Sequence, residues 1–331
     1  MQKAVAGESL NLAEARQVME LIMSGVAPPV QIGALATALR IRGETVEELV
    51  GFVLAMREKS IRIKVSDPNA VDTCGTGGDG AGTFNISTAA ALLAAGAGAT
   101  VVKHGGRGVS SACGSADVLA ELGVNIEARP EIVERNVNEI GLGFCFAPVF
   151  HPAMAAAAPI RKELGIRTFF NLLGPLANPA GVKRQVLGVF HPDWTGKLAS
   201  VLKQLGSEHT LVFSNEGGLD EFSFAHPSKV SELVNEKIEN YRLETNGWGY
   251  PSTNSLALSG SSAKENAKII LNILRGEKGV KRDVAVLNAA AALYVAGKTG
   301  SIREGLPVAE EALDSGQAMQ KLERLIKESH R

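Results

Sequence analysis

Apolar positions recur three and four apart through the first sixty residues; from Val71 onward they fall into short runs broken by glycine. The first texture predicts helices. Leu12, Val18, Leu21 and Ile22 share one face behind Asn11, and Glu14 three residues on completes a capping-box pattern. A second helix is expected from about 30 to 42, stopped by Gly43. A third starts at Thr45 with Glu48, carrying Leu49, Val50, Val53 and Leu54. Further on, strand candidates at Val71, 100–102, 144–146, 186–190 and 210–213 alternate with helix candidates at 87–95, 115–122, 130–140, 194–205 and 230–236. That alternation predicts βαβ units. Residues 151–179 interrupt it as a helix-and-loop excursion expected to return to the helical unit, and 263–330 reads as three helical stretches. The fold class is therefore α/β. A small, discontinuous helical domain (1–66 with part of 151–180) joins a larger domain (67–331) whose mostly parallel sheet is flanked by helices.

Composition narrows the field. The 331 residues carry a formal net charge of −1, so no global field favours nucleic acid or an acidic membrane. Aromatic content of 5% argues against a base-stacking surface. Cys74, Cys113 and Cys145 lack metal-ligand spacing and read as reduced, small hydrophobes of a cytoplasmic protein. Residues 1–20 hold Glu8, Glu14 and Glu20 and no apolar core, so no signal peptide is expected. The longest apolar run, 89–99, is too short to span a bilayer.

The chemistry concentrates at Gly75-Thr76-Gly77-Gly78-Asp79-Gly80, which runs on into Thr83-Phe84-Asn85-Ile86-Ser87-Thr88. Glycines let backbone N–H groups curl around an anion, and Asn85, Ser87 and Thr88 stand where a helix begins. Two better-known glycine loops fail here. Gly75, Gly77 and Gly80 fit the dinucleotide pattern, but the next strand ends in Lys103-His104-Gly105-Gly106-Arg107, which is basic where an acidic ribose ligand is required. A nucleotide-triphosphatase loop needs a lysine, and none lies between Val71 and Val102. Phosphate plus ribose is the expected ligand. Lys103, His104 and Arg107, followed by Ser110, Ser111 and Ser115, suit a diphosphate.

Asp220 and Glu221, just past the 210–213 strand, suit a hard cation better than a shared proton. Asp79 would repel a bare diphosphate unless a cation or water lies between. Arg161 offers bidentate recognition of a carboxylate. His104 and His151 fit the lining of an aromatic substrate's pocket.

With these residues assembled, the chain closely resembles the anthranilate phosphoribosyltransferase family, with a nucleoside phosphorylase/phosphoribosyltransferase-like fold. The matching runs are 72–88, 103–123, 144–179 (including Arg167-Thr168-Phe169-Phe170-Asn171-Leu172-Leu173-Gly174-Pro175-Leu176-Ala177-Asn178-Pro179), 218–221 and 274–297. The resemblance implies a homodimer and a Mg²⁺-dependent transfer of phosphoribose to anthranilate. It implies donor contacts from Gly75, Gly78, Asp79, Thr83, Asn85, Ile86, Ser87 and Thr88, and from Lys103, His104, Gly105, Gly106, Arg107, Gly108, Val109, Ser110, Ser111 and Ser115. Lys103 and Arg107 would be catalytic, Ser87, Asp220 and Glu221 would hold the metal, and Gly75, His104, Gly106, His151 and Arg161 would meet anthranilate. Two positions depart from the family: Gly106 stands where an asparagine is usual, and Ser214-Asn215 where His-Gly is. The rival readings are a pyrimidine nucleoside phosphorylase-like enzyme, which would carry a lysine beside the glycine loop where Asp72-Thr73-Cys74 stands, and a non-catalytic nucleic-acid-binding relative, which would lose that loop.

Overall fold

Local capping starts the chain. In the computed structural model, which describes residues 1–108, 113–252 and 255–331, Gln2–Val5 (α1) precedes Leu12–Met23 (α2), Pro29–Arg42 (α3) and Val46–Lys59 (α4). Asn11 and Thr45 accept from the N–H of Glu14 and Glu48 and both glutamates reach back, so both expected capping boxes form. Gly43, at φ 88°, closes α3. Glu48 also works at longer range: fully buried, it pairs with Arg42 and accepts the Leu10 N–H at 2.8 Å, tying three helices together.

The sheet follows. Val71–Gly75 (β1), Ile86–Gly96 (α5), Val101–Gly105 (β2), Ser115–Glu121 (α6), Pro130–Ile140 (α7) and Leu142–Phe146 (β3) come first. Then come Ala147–Phe150 (α8), Ala158–Leu164 (α9), Phe169–Leu176 (α10), Arg184–Gly188 (β4), Trp194–Gln204 (α11) and His209–Asn215 (β5). Ser228–Val234 (β6), Lys237–Leu243 (β7), Ala263–Leu274 (α12), Val280–Val295 (α13), Ile302–Asp314 (α14) and Gln317–Ser329 (α15) complete the order. Among the described residues the strands lie side by side as β3-β2-β1-β4-β5-β6-β7, parallel up to β5 and antiparallel beyond. The chain steps one way from β1 and later the other way to β4, so the crevice at their C-terminal ends is a topological switch point. Register brings Gly75 level with Gly188, and Gly188 level with Phe213.

One hydrophobic cluster covers one face of the sheet with α5, α13, α14 and α15. A second joins the amino-terminal helices to Ala157, Ile160, Phe169, Phe170, Leu172, Leu173, Leu187 and Leu198. The 151–179 excursion thus buries its apolar side chains with the amino-terminal helices. Arg57 of α4 fastens it, donating to the Leu176 carbonyl from Nε at 3.0 Å and Nη2 at 2.7 Å.

Three expectations are corrected. The helix expected over 230–236 is instead most of β6. Val230, Leu233 and the neighbouring Ser231 are buried against β5, and Asn235 and Glu236, at φ 47° and 65°, make the tight turn into β7. The carboxyl-terminal 263–330 stretch holds four helices rather than three, because Gly316 at φ 77° separates α14 from α15. Lys103 and His104 lie within β2, not after it, and pair with Phe144 and Cys145 of β3.

Candidate active site

The glycine loop leaves β1 at Gly75 and is pinned at both ends. Thr76 N–H donates to the Gly188 carbonyl at 2.9 Å, and Phe84 N–H to the Leu258 carbonyl at 2.9 Å. Gly77, Gly78, Gly80 and Gly82 all have positive φ, which an L side chain would resist. Asp79 accepts the Ala81 N–H at 3.1 Å on one oxygen, and its other oxygen lies 3.5 Å from the Asp220 N–H.

Asp220 and Glu221 both reach back onto this loop and its helix. Asp220 Oδ2 accepts the Gly77 N–H at 2.8 Å, and Glu221 Oε1 accepts the Ser87 N–H at 3.0 Å. Both carboxylates are buried. Burial, with repulsion from Asp79, pushes Asp220 up to about 7, and burial with repulsion from Asp220 pushes Glu221 upward as well. The approach is so close that a Cβ on Gly75 would sit 2.3 Å from Asp220 Oδ2.

Lys103 enters from β2. Its Nζ donates to the Thr73 carbonyl at 2.6 Å and to Ser87 Oγ at 3.2 Å, and the residue is 3% exposed. Burial lowers its pKa, while Asp72, Cys74, Glu221 and Asp220 counter that. Lys103 and Glu221 therefore meet at Ser87, while Asp220 ties the same acidic turn to Gly77 of the glycine loop.

Several expected residues do other work. Asn85 flanks α5 without capping it; its amide donates to the Cys113 carbonyl at 3.2 Å and accepts from Asn266 at 2.9 Å. Thr88 is buried with no partner for Oγ1. Ser115 is the first residue of α6, with its Oγ packed where a Gly105 Cβ would stand. Arg107 pairs with Asp117 at 3.0 Å. Gly108 lies in the same turn, while Val109, Ser110 and Ser111 fall outside the described residues. Cys74 is a poor nucleophile, because burial raises its thiol pKa far up.

His104 and His151 meet, ring centroids 5.0 Å apart. His104 Nδ1 lies 3.0 Å from the Gly174 carbonyl and donates to it, and both Nε2 atoms are buried without partners. Burial depresses His104 to about 3 and His151 to about 4, so both are neutral at pH 7 and offer Nε2 lone pairs. Arg161, on α9, lies 5.7 Å from the Phe170 ring centroid and makes no ion pair among the described residues. Gly106 faces open space.

Sequence reasoning missed three supporting residues. Asp72, fully buried, accepts the His104 N–H at 3.2 Å and the Asn178 amide at 2.8 Å, and burial pushes it up to about 6. Asp117 gathers the Gly108 and Gly114 N–H groups at 2.9 Å each. Asn215 receives the Gly217 N–H at 2.9 Å and donates to the His226 carbonyl at 2.9 Å and to Ser223 and Ser228 at 3.2 Å. It braces the loop that carries Asp220 and Glu221.

The donor set of Ser87, Asp220 and Glu221 is all oxygen, and its two carboxylates are buried, which fits Mg²⁺. Among the described residues no three His, Cys, Asp or Glu side chains form a ready-made cage. That agrees with an ion held by one or two carboxylates plus water and substrate phosphate.

A family model described as glycosyl transferase family, a/b domain, matches residues 67–319, and one described as the helical bundle domain of that family matches 1–60. The anthranilate phosphoribosyltransferase of Pelotomaculum thermopropionicum is 51% identical over 326 residues, spanning 98% of this chain and 94% of its own. That of a Thermoanaerobacter species is 50% identical over 331 residues, 100% and 98% of the two chains. Among solved structures, anthranilate phosphoribosyltransferase from Thermus thermophilus superposes with a TM-score of 0.94 at 44% identity, covering 100% of this chain and 99% of that one. The Saccharomyces cerevisiae enzyme in complex with PRPP and Mg gives 0.89 at 28% identity, covering 97% and 94%. The chain belongs to this glycosyl transferase family and, within it, to the anthranilate phosphoribosyltransferases. It is a transferase enzyme. No helix among the described residues is long and apolar enough to cross a membrane.

Proposed function

We propose that this enzyme transfers the phosphoribosyl group of 5-phospho-α-D-ribose 1-diphosphate to the amine of anthranilate, releasing diphosphate, in tryptophan biosynthesis. The observation that carries the reading is the convergence of Lys103, Glu221 and the start of α5 on Ser87, with Asp220 on Gly77. Mg²⁺ held by Ser87, Asp220 and Glu221 would neutralise charge on the departing diphosphate. The remaining work falls to the chain. Loop N–H groups and Lys103 hold the diphosphate, and Arg161 receives the anthranilate carboxylate as a bidentate partner. An arylamine is neutral at pH 7, so its lone pair attacks C1 of the ribose as the C–O bond to diphosphate breaks. The neutral imidazoles His104 and His151 accept the amine N–H groups and orient it; no strong base is required.

The reading extends to a homodimer in the cytoplasm. Val30 and Ile41, 78% and 81% exposed, lie eleven residues apart on one face of α3, with Val26 at 70% nearby. The test is anthranilate fluorescence decay with the ribosyl diphosphate, with and without Mg²⁺. Donor- and Mg²⁺-dependent decay is expected; no decay, with phosphorolysis of thymidine or uridine instead, overturns the reading.

A further inference from the structure

Arg167 lies between α9 and α10, with no role in the site as described so far. Its guanidinium lies flat on the glycine loop. A Cβ placed on Gly78 would stand 2.4 Å from Cζ, 2.5 Å from Nε and 2.6 Å from Nη2. Three such similar distances put the plane of the group face-on to the glycine. The Phe190 ring also holds it, with Cζ 4.7 Å from the centroid. Phe190 itself is anchored to the loop, its N–H donating to Thr76 Oγ1 at 3.3 Å. A cation held this way has its orientation set before any ligand arrives.

That cation makes no ion pair and no side-chain hydrogen bond among the described residues, and the residue is half-buried. The charges around it are unbalanced. Asp79, Asp220 and Glu221 crowd the crevice, Lys103 is buried beneath it, and Arg107 is engaged by Asp117. A glycine at position 78 is required for the guanidinium to lie so close.

We propose that Arg167 is a further binding residue of the glycine loop, its N–H edge receiving a phosphoryl oxygen of the diphosphate. This assignment rests on the phosphoribosyl-transfer reading for the identity of the donor, but not for the diphosphate contact itself. It makes the 151–179 excursion, which carries Arg167 and Arg161, a supplier of one cation to each of the two substrates.

The test is calorimetric titration of the full-length protein with inorganic diphosphate in Mg²⁺, with ribose 5-phosphate and with anthranilate. Arg167→Gln is expected to weaken diphosphate about tenfold or more, as loss of a charge-assisted contact does. Arg167→Lys should recover much of that loss, and anthranilate and ribose 5-phosphate should bind as in the wild type. Gly78→Ala, whose methyl displaces the guanidinium, should reproduce the diphosphate defect and serves if Arg167→Gln does not fold. Unchanged diphosphate affinity overturns the proposal. So does a loss confined to ribose 5-phosphate, or an equal loss for anthranilate, which would mark general damage to the fold. A wild-type protein that binds diphosphate yet leaves anthranilate unconsumed would sink the transfer reading while leaving Arg167 testable.

Discussion

Asp220 shows what function costs a single side chain. It is 8% exposed, lies beside Asp79 and Glu221, and burial holds it at about 7 against an ordinary value near 4. With the folded pKa above the unfolded one, the native state binds the extra proton between those values. The cost is therefore full above pH 7 and is relieved as pH falls, by about 1.4 kcal/mol per pH unit at most. His104 and His151, depressed by burial, run the other way below their unfolded value near 6.5. The difference between variant and wild type isolates the carboxylate. Metal-free Asp220→Asn should be more stable than wild type at pH 8, with the gap narrowing as pH falls and closing only near pH 4, as read from urea midpoints. The same variant should lose Mg²⁺-dependent turnover by orders of magnitude. A gap that does not change with pH would refute the account.

Strand ends and the turns after them are proposed to make the site, and their fit depends on a missing methyl group. β4 ends at Gly188, where a Cβ would lie 1.7 Å from the Asp220 carbonyl oxygen and 2.5 Å from its carbon. Backbone cannot yield as a flexible side chain can. Gly188→Ala should therefore move the 219–221 turn, costing roughly 1–3 kcal/mol by overpacking and weakening Mg²⁺-diphosphate binding about tenfold or more. Gly106→Ala, with open space at its Cβ, is the matched control and should leave the thermal midpoint unchanged. Equal midpoints for wild type and Gly188→Ala would show that the turn is not held as described. Asn215 braces the same turn from β5, through the Gly217 N–H and the His226 carbonyl.

Across the molecule, the groups proposed to meet the substrates come from both parts of the chain. Lys103 and the glycine loop belong to the sheet; Arg161, Arg167 and His151 sit in the excursion buried against the amino-terminal helices. Arg57 closes that arrangement through the Leu176 carbonyl, and burial lowers its pKa to about 10. The exposed apolar face of α3 needs a partner, and a second copy is the proposed one. Light scattering should report twice the chain mass for wild type and a single chain mass for Val30→Asp with Ile41→Asp. A wild-type monomer at micromolar concentration would remove the dimer from the reading.

Much of this was legible from residue order alone, because the signals were local. The capping boxes at Asn11 and Thr45, the glycine loop, the basic run from Lys103 and the acidic pair each announce themselves within a few positions. What escaped was set by contacts between distant segments. Residues 228–234 pair as a strand because β5 offers an edge, a fact no local window contains. Asp72, Asp117 and Asn215 look like ordinary polar residues until folding surrounds them with N–H groups. Arg167 reads as one more surface cation until the fold lays its guanidinium on Gly78, 89 positions away along the chain. Local chemistry was written in the order of residues; which of those chemistries share a crevice was settled by burial of the two hydrophobic clusters that bring the strand ends together.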